Sequence, residues 1–396
     1  MALSDGPVSG GPVGAPQGPP VLTGRSYPYL IQAGVKLKIA NVRVEINTGT
    51  ITGTGPKIRG TQAGGFNVPA TTLSLVSGTV YQANNIEVTT AFTANLTVFY
   101  DTFDIDWEVS RDGSTWESAG TSSNQIYVCL ANPVYDPVNN PILSSINMFR
   151  TVVHLACSSA GATDADSAVA KTWALFSGLN VKTWDQKELL HYYLPHTTFG
   201  NNTSVAALLK YGTGQCLSWA HMLQDAWTIN GVGVNSNSAE SSYYTVVTVI
   251  SHLNDGFFWV KTWSHLPSND SEWFSFESLA SDMQPPPSGD TYGYYDDGGG
   301  VLFKNEDTLL GQNSDPDAPS QKVFNNHQFV KYTNHSNQVV YYDPSYGAKY
   351  DDAADFQSKA LIGFGHVARG VPSINPQKLQ FQFTRLGGST VVVFSA

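Results

Sequence analysis

The sequence is poor in charge and in sulfur. Asp, Glu, Lys and Arg make up only 13% of its 396 residues, with 21 basic against 32 acidic side chains and a formal net charge of −11. An acidic chain without a basic patch repels phosphate backbones and anionic lipid, so no nucleic-acid partner is expected. No uninterrupted apolar run approaches the roughly 20 residues of a membrane span. Residues 1–20 lack a basic start and an apolar core, so they do not read as a secretory signal; residues 1–28 read as a Gly/Pro-rich flexible arm. Abundant Ser, Thr, Asn, Gly and Tyr lean toward a β-rich, extracellular or exported protein, which then needs another route or a leader outside this sequence. Three cysteines make no disulfide framework, and a chain of this length buries a large core without staples. Cys129 and Cys157 are expected to be two buried thiols, a disulfide between them being the alternative.

The third cysteine is different. Apolar residues at 219, 220, 223, 226, 227 and 229 have near-helical spacing, and Asn230-Gly231 supplies a stop, which puts Cys216 in the first turn of a helix. A free thiol has a pKa of about 8.5 and must lose its proton to become a nucleophile. The unpaired N–H groups and positive dipole end of a helix favour a thiolate, and Gly212 and Gly214 let the backbone turn sharply and leave space for a substrate.

A base and an orienting acid lie downstream. His327–Tyr332 and Gln338–Asp343 read as strands of a hairpin, separated by the polar run Thr333–Asn337. Pairing centred on His335 makes His327 and Asp343 direct cross-strand neighbours, with Cβ atoms roughly 4.5–5.5 Å apart. A carboxylate there holds the imidazole tautomer and steadies its positive charge. A one-residue slip would send the two to opposite faces. His221, on the Cys216 helix, is expected to point elsewhere, and His335 to be solvated at the hairpin tip.

Gly214-Gln215-Cys216 with Trp219-Ala220 and Asn230-Gly231-Val232, then Asn326-His327-Gln328-Phe329-Val330, then Tyr342-Asp343-Pro344-Ser345-Tyr346-Gly347, resemble in that order the transglutaminase-like superfamily of papain-like cysteine enzymes. The resemblance covers residues 142–396, with its motifs in 212–234 and 325–347. It implies Cys216 as nucleophile, His327 as base and Asp343 as orienting acid, acting on a protein or peptide substrate through a thioester, without a cofactor or metal. Water as acceptor makes a peptidase or amidase, the expected activity. The alternatives are a glutamine deamidase or a lysine-using transglutaminase, including one delivered as an effector, and a non-catalytic interaction or scaffold module. Oxyanion donors are expected to include the Cys216 N–H and one further group, with Gln215 a candidate. Trp184 is a candidate for the acyl site, although an ordinary core aromatic is the preferred reading.

The stretch between Cys216 and His327 exceeds the minimal core of that family, and the excess at 282–326 reads as a loop insertion beside the site, a lid or specificity loop. Its aspartates Asp296, Asp297, Asp315 and Asp317 fit no regular calcium spacing and are preferred as solvated loop carboxylates.

Fold class follows from a change of character near residue 131. Residues 29–131 show period-two alternation at 35–39, 42–46, 86–88 and 96–100, and a hairpin around Arg111-Asp112-Gly113-Ser114, which reads as an immunoglobulin-like β-sandwich that serves as a spacer, a substrate-presenting module or a partner-binding module. Residues 132–141 read as a Pro-punctuated linker. In 142–396 helices are expected at 165–176, 186–193, 204–210 and after Cys216, followed by strands at 243–250, 257–261, the hairpin and 379–384. This is an α+β layout, with the nucleophile on a helix packed against an antiparallel sheet carrying base and acid.

Overall fold

The computed structural model describes residues 27–47, 49–130, 149–192, 203–234, 243–251, 256–260, 263–265, 271–276, 302–304, 310–313, 323–324, 326–368, 379–385 and 392–395. The expected arm before Tyr27, the linker 132–141 and most of the insertion, with Asp296, Asp297, Asp315 and Asp317, lie outside the described residues. Strand outweighs helix in a mixed α+β chain. Two compact units form, one from residues 1–171 with 226–231, the other from 172–225 with 232–396.

In the first unit the strands Tyr27–Gln32, Glu117–Cys129, Val98–Ser110, Lys57–Thr61 and Val68–Thr72 line up in that order in one sheet, and Lys36–Glu45, Val80–Ala91 and Ser74–Ser77 in another. Tyr27–Gln32 runs parallel to Glu117–Cys129. Phe103 and Ile105 are buried while Asp104 and Asp106 are exposed, the alternation that a pleated strand with one covered face requires. Ile58, Phe66, Ile86, Val88, Phe92, Phe103, Ile105 and Ile126, drawn from both sheets and the connections beside them, share a single hydrophobic cluster.

Some segments expected as separate strands are continuous. The interruption between Tyr100 and Phe103 is a register shift within Val98–Ser110, not a strand end; a bulge adds residues to one strand without ending its pairing. Helix α1 (Arg150–Cys157), not foreseen, belongs to this unit. Cys129 and Cys157 are free and buried, as expected. Asn230 is more than a helix stop: its Nδ2 donates to the Ala156 carbonyl at 2.8 Å and its Oδ1 accepts from the Leu130 N–H at 3.2 Å.

Helix α2 (Ala165–Ser177) starts in the first unit and ends in the second, where α3 (Val205–Tyr211), α4 (Cys216–Ile229) and α5 (Ala353–Ala360) follow. The central sheet of the second unit runs Gly233–Val234, Tyr243–Ser251, Asn326–Thr333, Val339–Asp343, Ala348–Tyr350, with Val392–Ser395 also paired to Tyr243–Ser251. A second sheet orders Ser271–Phe276, Leu379–Arg385, Leu361–Ala368, Gly256–Val260 and Val323–Phe324.

The helix expected at 186–193 does not form. Residues 181–190 fold back on themselves instead: the Thr183 N–H bonds the Glu188 carbonyl at 3.0 Å and the Leu190 N–H the Val181 carbonyl at 3.0 Å. The Asp185 carboxylate accepts from the Thr183 hydroxyl at 2.7 Å, and Gln186 takes a left-handed φ of 61°. Local side-chain bonds of this kind compete with a helix for the backbone, and here they win. The chain then enters the short strand His191–Tyr192.

The hydrophobic core of this unit gives a direct stability test. Phe103 is fully buried, and its ring lies 5.6 Å from those of Phe66 and Tyr100. Phe103→Ala is expected to destabilise this unit by about 3–5 kcal/mol, measured as a lower denaturant midpoint.

Candidate active site

Helix α4 begins at the thiol. The Gln215 carbonyl accepts the Trp219 N–H at 3.3 Å and the Ser218 hydroxyl at 2.7 Å, so Gln215 is the cap residue and Cys216 the first helical one. The N–H groups of a first turn have no partner within the helix, which leaves a positive end at the sulfur. The two glycines before it have distinct tasks. Gly212 caps α3 in the left-handed region, φ 69°, with its N–H on the Leu208 carbonyl. At Gly214 a Cβ would stand 2.2 Å from the Ser218 Oγ, so the space it leaves is filled by Ser218 and not by a substrate. His191–Tyr192 pairs in parallel with Thr213–Gly214 and so runs beside the approach to Cys216.

The hairpin brings His327 and Asp343 together with a corrected register. Val330 pairs with Tyr342 and Thr333 with Val339, so the pairing is centred on Ser336, not His335. Asn337 sits at φ 60°, and the Asn334 and Gln338 backbones close the loop, a three-residue turn with a left-handed third position. The displacement amounts to two residues. His327 and Asp343 are therefore diagonal and not directly opposite, yet they keep the same face. His327 Nε2 lies 2.8 Å from Asp343 Oδ2, both side chains fully buried.

Asp343 is held from every side. Tyr350 donates its hydroxyl to Oδ2 at 3.2 Å, and the N–H groups of Ser345 and Tyr346 reach Oδ1 at 3.1 and 3.4 Å. Burial, and then the Asp343 charge, push the Tyr350 phenol well above its ordinary range, so it stays a donor. The rings of Tyr192, Phe329, Tyr346 and Phe356 surround the imidazole at centroid distances of 5.4–6.3 Å. Burial is the largest influence on His327 and pulls its pKa down. The Asp343 charge and hydrogen bond, with a hydrogen bond and charge from Cys216, together outweigh it and raise the value to about 10. With Nε2 on Asp343, the ring's other nitrogen, Nδ1, is the one available to the thiol. Cys216 itself is 7% exposed.

The other sequence candidates fall as follows. Gln215 is half-buried at the cap, one residue from the sulfur. Trp184 is half-buried in the turn of the 181–190 fold-back, so it is not a fully packed core aromatic. His221 is half-buried; burial lowers its pKa, and it bonds the backbone at Thr203. His335 is exposed at the hairpin tip. Among the described residues no three His, Cys, Asp or Glu side chains converge on a metal position. Tyr350, Tyr192 and Phe356 were missed. Tyr350 was accessible in principle, since the Asp343 turn leads straight into the strand that carries it; the other two come from distant segments whose convergence no local pattern encodes.

The chain matches no protein-family model and no curated protein. No helix among the described residues is long and apolar enough to cross a membrane.

The imidazole–carboxylate pair predicts a pH signature. His327 has a folded pKa near 10 against about 6.5 unfolded, so the folded protein holds a proton that the unfolded chain releases between those values. Its contribution to stability is complete below about pH 6.5 and is lost as pH rises toward 10, on the order of a few kcal/mol. In Asp343→Asn burial becomes the dominant influence and holds the ring neutral, so that this contribution disappears. Denaturation curves from pH 6 to 10 should show a wild-type advantage over the variant that shrinks with rising pH; a constant difference would contradict the assignment.

Proposed function

We propose that the protein is a cysteine-dependent enzyme of acyl and amide groups, a peptidase or amidase with a transglutaminase-like, papain-like catalytic domain preceded by an immunoglobulin-like sandwich. The observation that carries this reading is the fully buried Asp343–His327 pair, with Cys216 among the groups that raise the imidazole pKa. A surface histidine or a lone buried cysteine would carry nothing comparable.

The chemistry divides among these groups. The Cys216 proton passes to His327, and the sulfur attacks the carbonyl carbon of an amide, forming the C–S bond and an oxyanion. Donors at the start of α4, the Cys216 N–H first among them, stabilise that oxyanion. The intermediate collapses with loss of the C–N bond, His327 protonates the departing amine, and a thioester is left on Cys216. Water, deprotonated by His327, then attacks the thioester and releases the acid and the thiol. Asp343 stays ionised and holds the ring in the orientation and tautomer both halves require. An amine in place of water gives transfer instead of hydrolysis through the same thioester.

Intact-mass spectrometry after brief iodoacetamide exposure tests this reading without a known substrate. The expected result is rapid single labelling that persists below pH 7, is absent in Cys216→Ala and is at least tenfold slower in His327→Ala. Peptide, glutamine and lysine-amine probes then separate hydrolysis from transfer. Labelling only above about pH 8, as for an ordinary thiol, would put the non-catalytic interaction module first.

A further inference from the structure

Part of the stretch that reads as a loop insertion is a buried plug. Gln312 is fully buried, and Gly311 beside it is buried as well. The Gln312 N–H donates to the Ser345 carbonyl at 2.8 Å, and its own carbonyl accepts the Tyr192 N–H at 3.0 Å. Its side-chain Nε2 donates to the Phe176 carbonyl at 2.6 Å and the Pro344 carbonyl at 2.8 Å. Asn313 extends the same tie. Its N–H reaches the Leu179 carbonyl at 3.1 Å, its Nδ2 the Val181 and Leu190 carbonyls, both at 2.7 Å, and its carbonyl accepts from His191 Nδ1 at 2.9 Å.

These bonds join three segments that bear on the reaction. Pro344 and Ser345 form the turn that presents Asp343. Leu190–Tyr192 leads into and forms the strand paired beside the approach to Cys216. Phe176–Val181 is the end of α2 and its exit, against which the Asp343 turn is wedged: a Cβ on Gly347 would come within 2.9 Å of Leu179 and 3.1 Å of the Phe176 carbonyl. The Asp343 side therefore reaches the Cys216 side by a second route, independent of the hairpin that carries His327.

We propose that Gln312 is a positioning residue for the Cys216–His327–Asp343 site, fixing the Asp343 turn against the strand beside the nucleophile. This rests on the triad reading above. The Gln312 Oε1 is buried with no hydrogen-bond partner among the described residues, a cost set against the two carbonyls that its Nε2 satisfies. What the amide supplies and an apolar side chain does not is two donors set by one planar group on carbonyls of two different segments. The Pro344 carbonyl shares a peptide plane with the Ser345 N–H that bonds Asp343 Oδ1, so fixing it fixes a donor that orients the carboxylate, and through it the imidazole.

The test is the alkylation rate of Cys216 from pH 5.5 to 9 in the wild type, in Gln312→Met, and in Ser204→Ala, a control that removes the α3 cap bond to the Ala207 N–H and touches none of the three tied segments. The expected outcome is a thiol that labels rapidly below pH 7 in the wild type and in Ser204→Ala. In Gln312→Met it should label at least tenfold more slowly there, with a pH profile moved toward that of an ordinary thiol. If Gln312→Met does not fold, Gln312→Asn, which keeps the amide but falls short of both carbonyls, takes its place. A rapid wild-type thiol whose rate and profile survive substitution of Gln312 would overturn the role of Gln312 alone. A wild-type thiol no faster than an ordinary one would overturn the triad reading and this role with it.

Discussion

The candidate site in the second unit answers to one buried carboxylate. A carboxylate taken out of water is tolerated only when its oxygens are bonded and a partner charge lies close. Asp343 meets both conditions through His327, Tyr350 and two backbone N–H groups. Each condition dictates structure elsewhere. The N–H donors require the tight Pro344–Gly347 turn; the turn requires a glycine at φ 60° where it meets the end of α2; Tyr350 requires the strand that follows. The aromatic rings around His327 keep water out, and this strengthens the electrostatic coupling between imidazole and carboxylate.

How far the sequence revealed this arrangement depends on the range of the interactions involved. The cysteine helix was legible because its signals are local: apolar spacing along α4, glycines before it and Asn-Gly after it. The face shared by His327 and Asp343 was legible because a strand has a period of two, and an error of two residues in hairpin register preserves it. The error arose because Thr333 and Asn334 continue the pairing and leave only a three-residue turn with Asn337 left-handed, which composition alone does not reveal. At 186–193 the helical pattern was real in the sequence but lost to the side-chain bonds of Thr183 and Asp185, which are also local yet leave no periodic trace. Gln312 was hidden for the opposite reason. It lies in a stretch of prolines, glycines and aspartates, and all its partners are remote in sequence, so nothing nearby marks it as buried.

The three cysteines separate burial from activation. Cys129 and Cys157 are both buried; burial pushes the Cys129 thiol up to about 12, and burial with the nearby Cys129 raises Cys157 well above the ordinary thiol range. Burial of this kind disfavours the thiolate, the reactive form. Cys216 is also nearly enclosed, at 7% exposure, so exclusion from water cannot be what distinguishes it. The distinction is directional. Its sulfur sits at the first residue of a helix, where N–H groups have no partner within the helix, and it contributes to the pKa of an imidazole whose Nε2 is already anchored to a carboxylate. In the proposed reaction a proton leaving the sulfur has a destination stabilised beforehand, and the charge left behind faces a positive helix end. Under that proposal enclosure favours the chemistry, because low-polarity surroundings strengthen the attraction between sulfur and imidazolium.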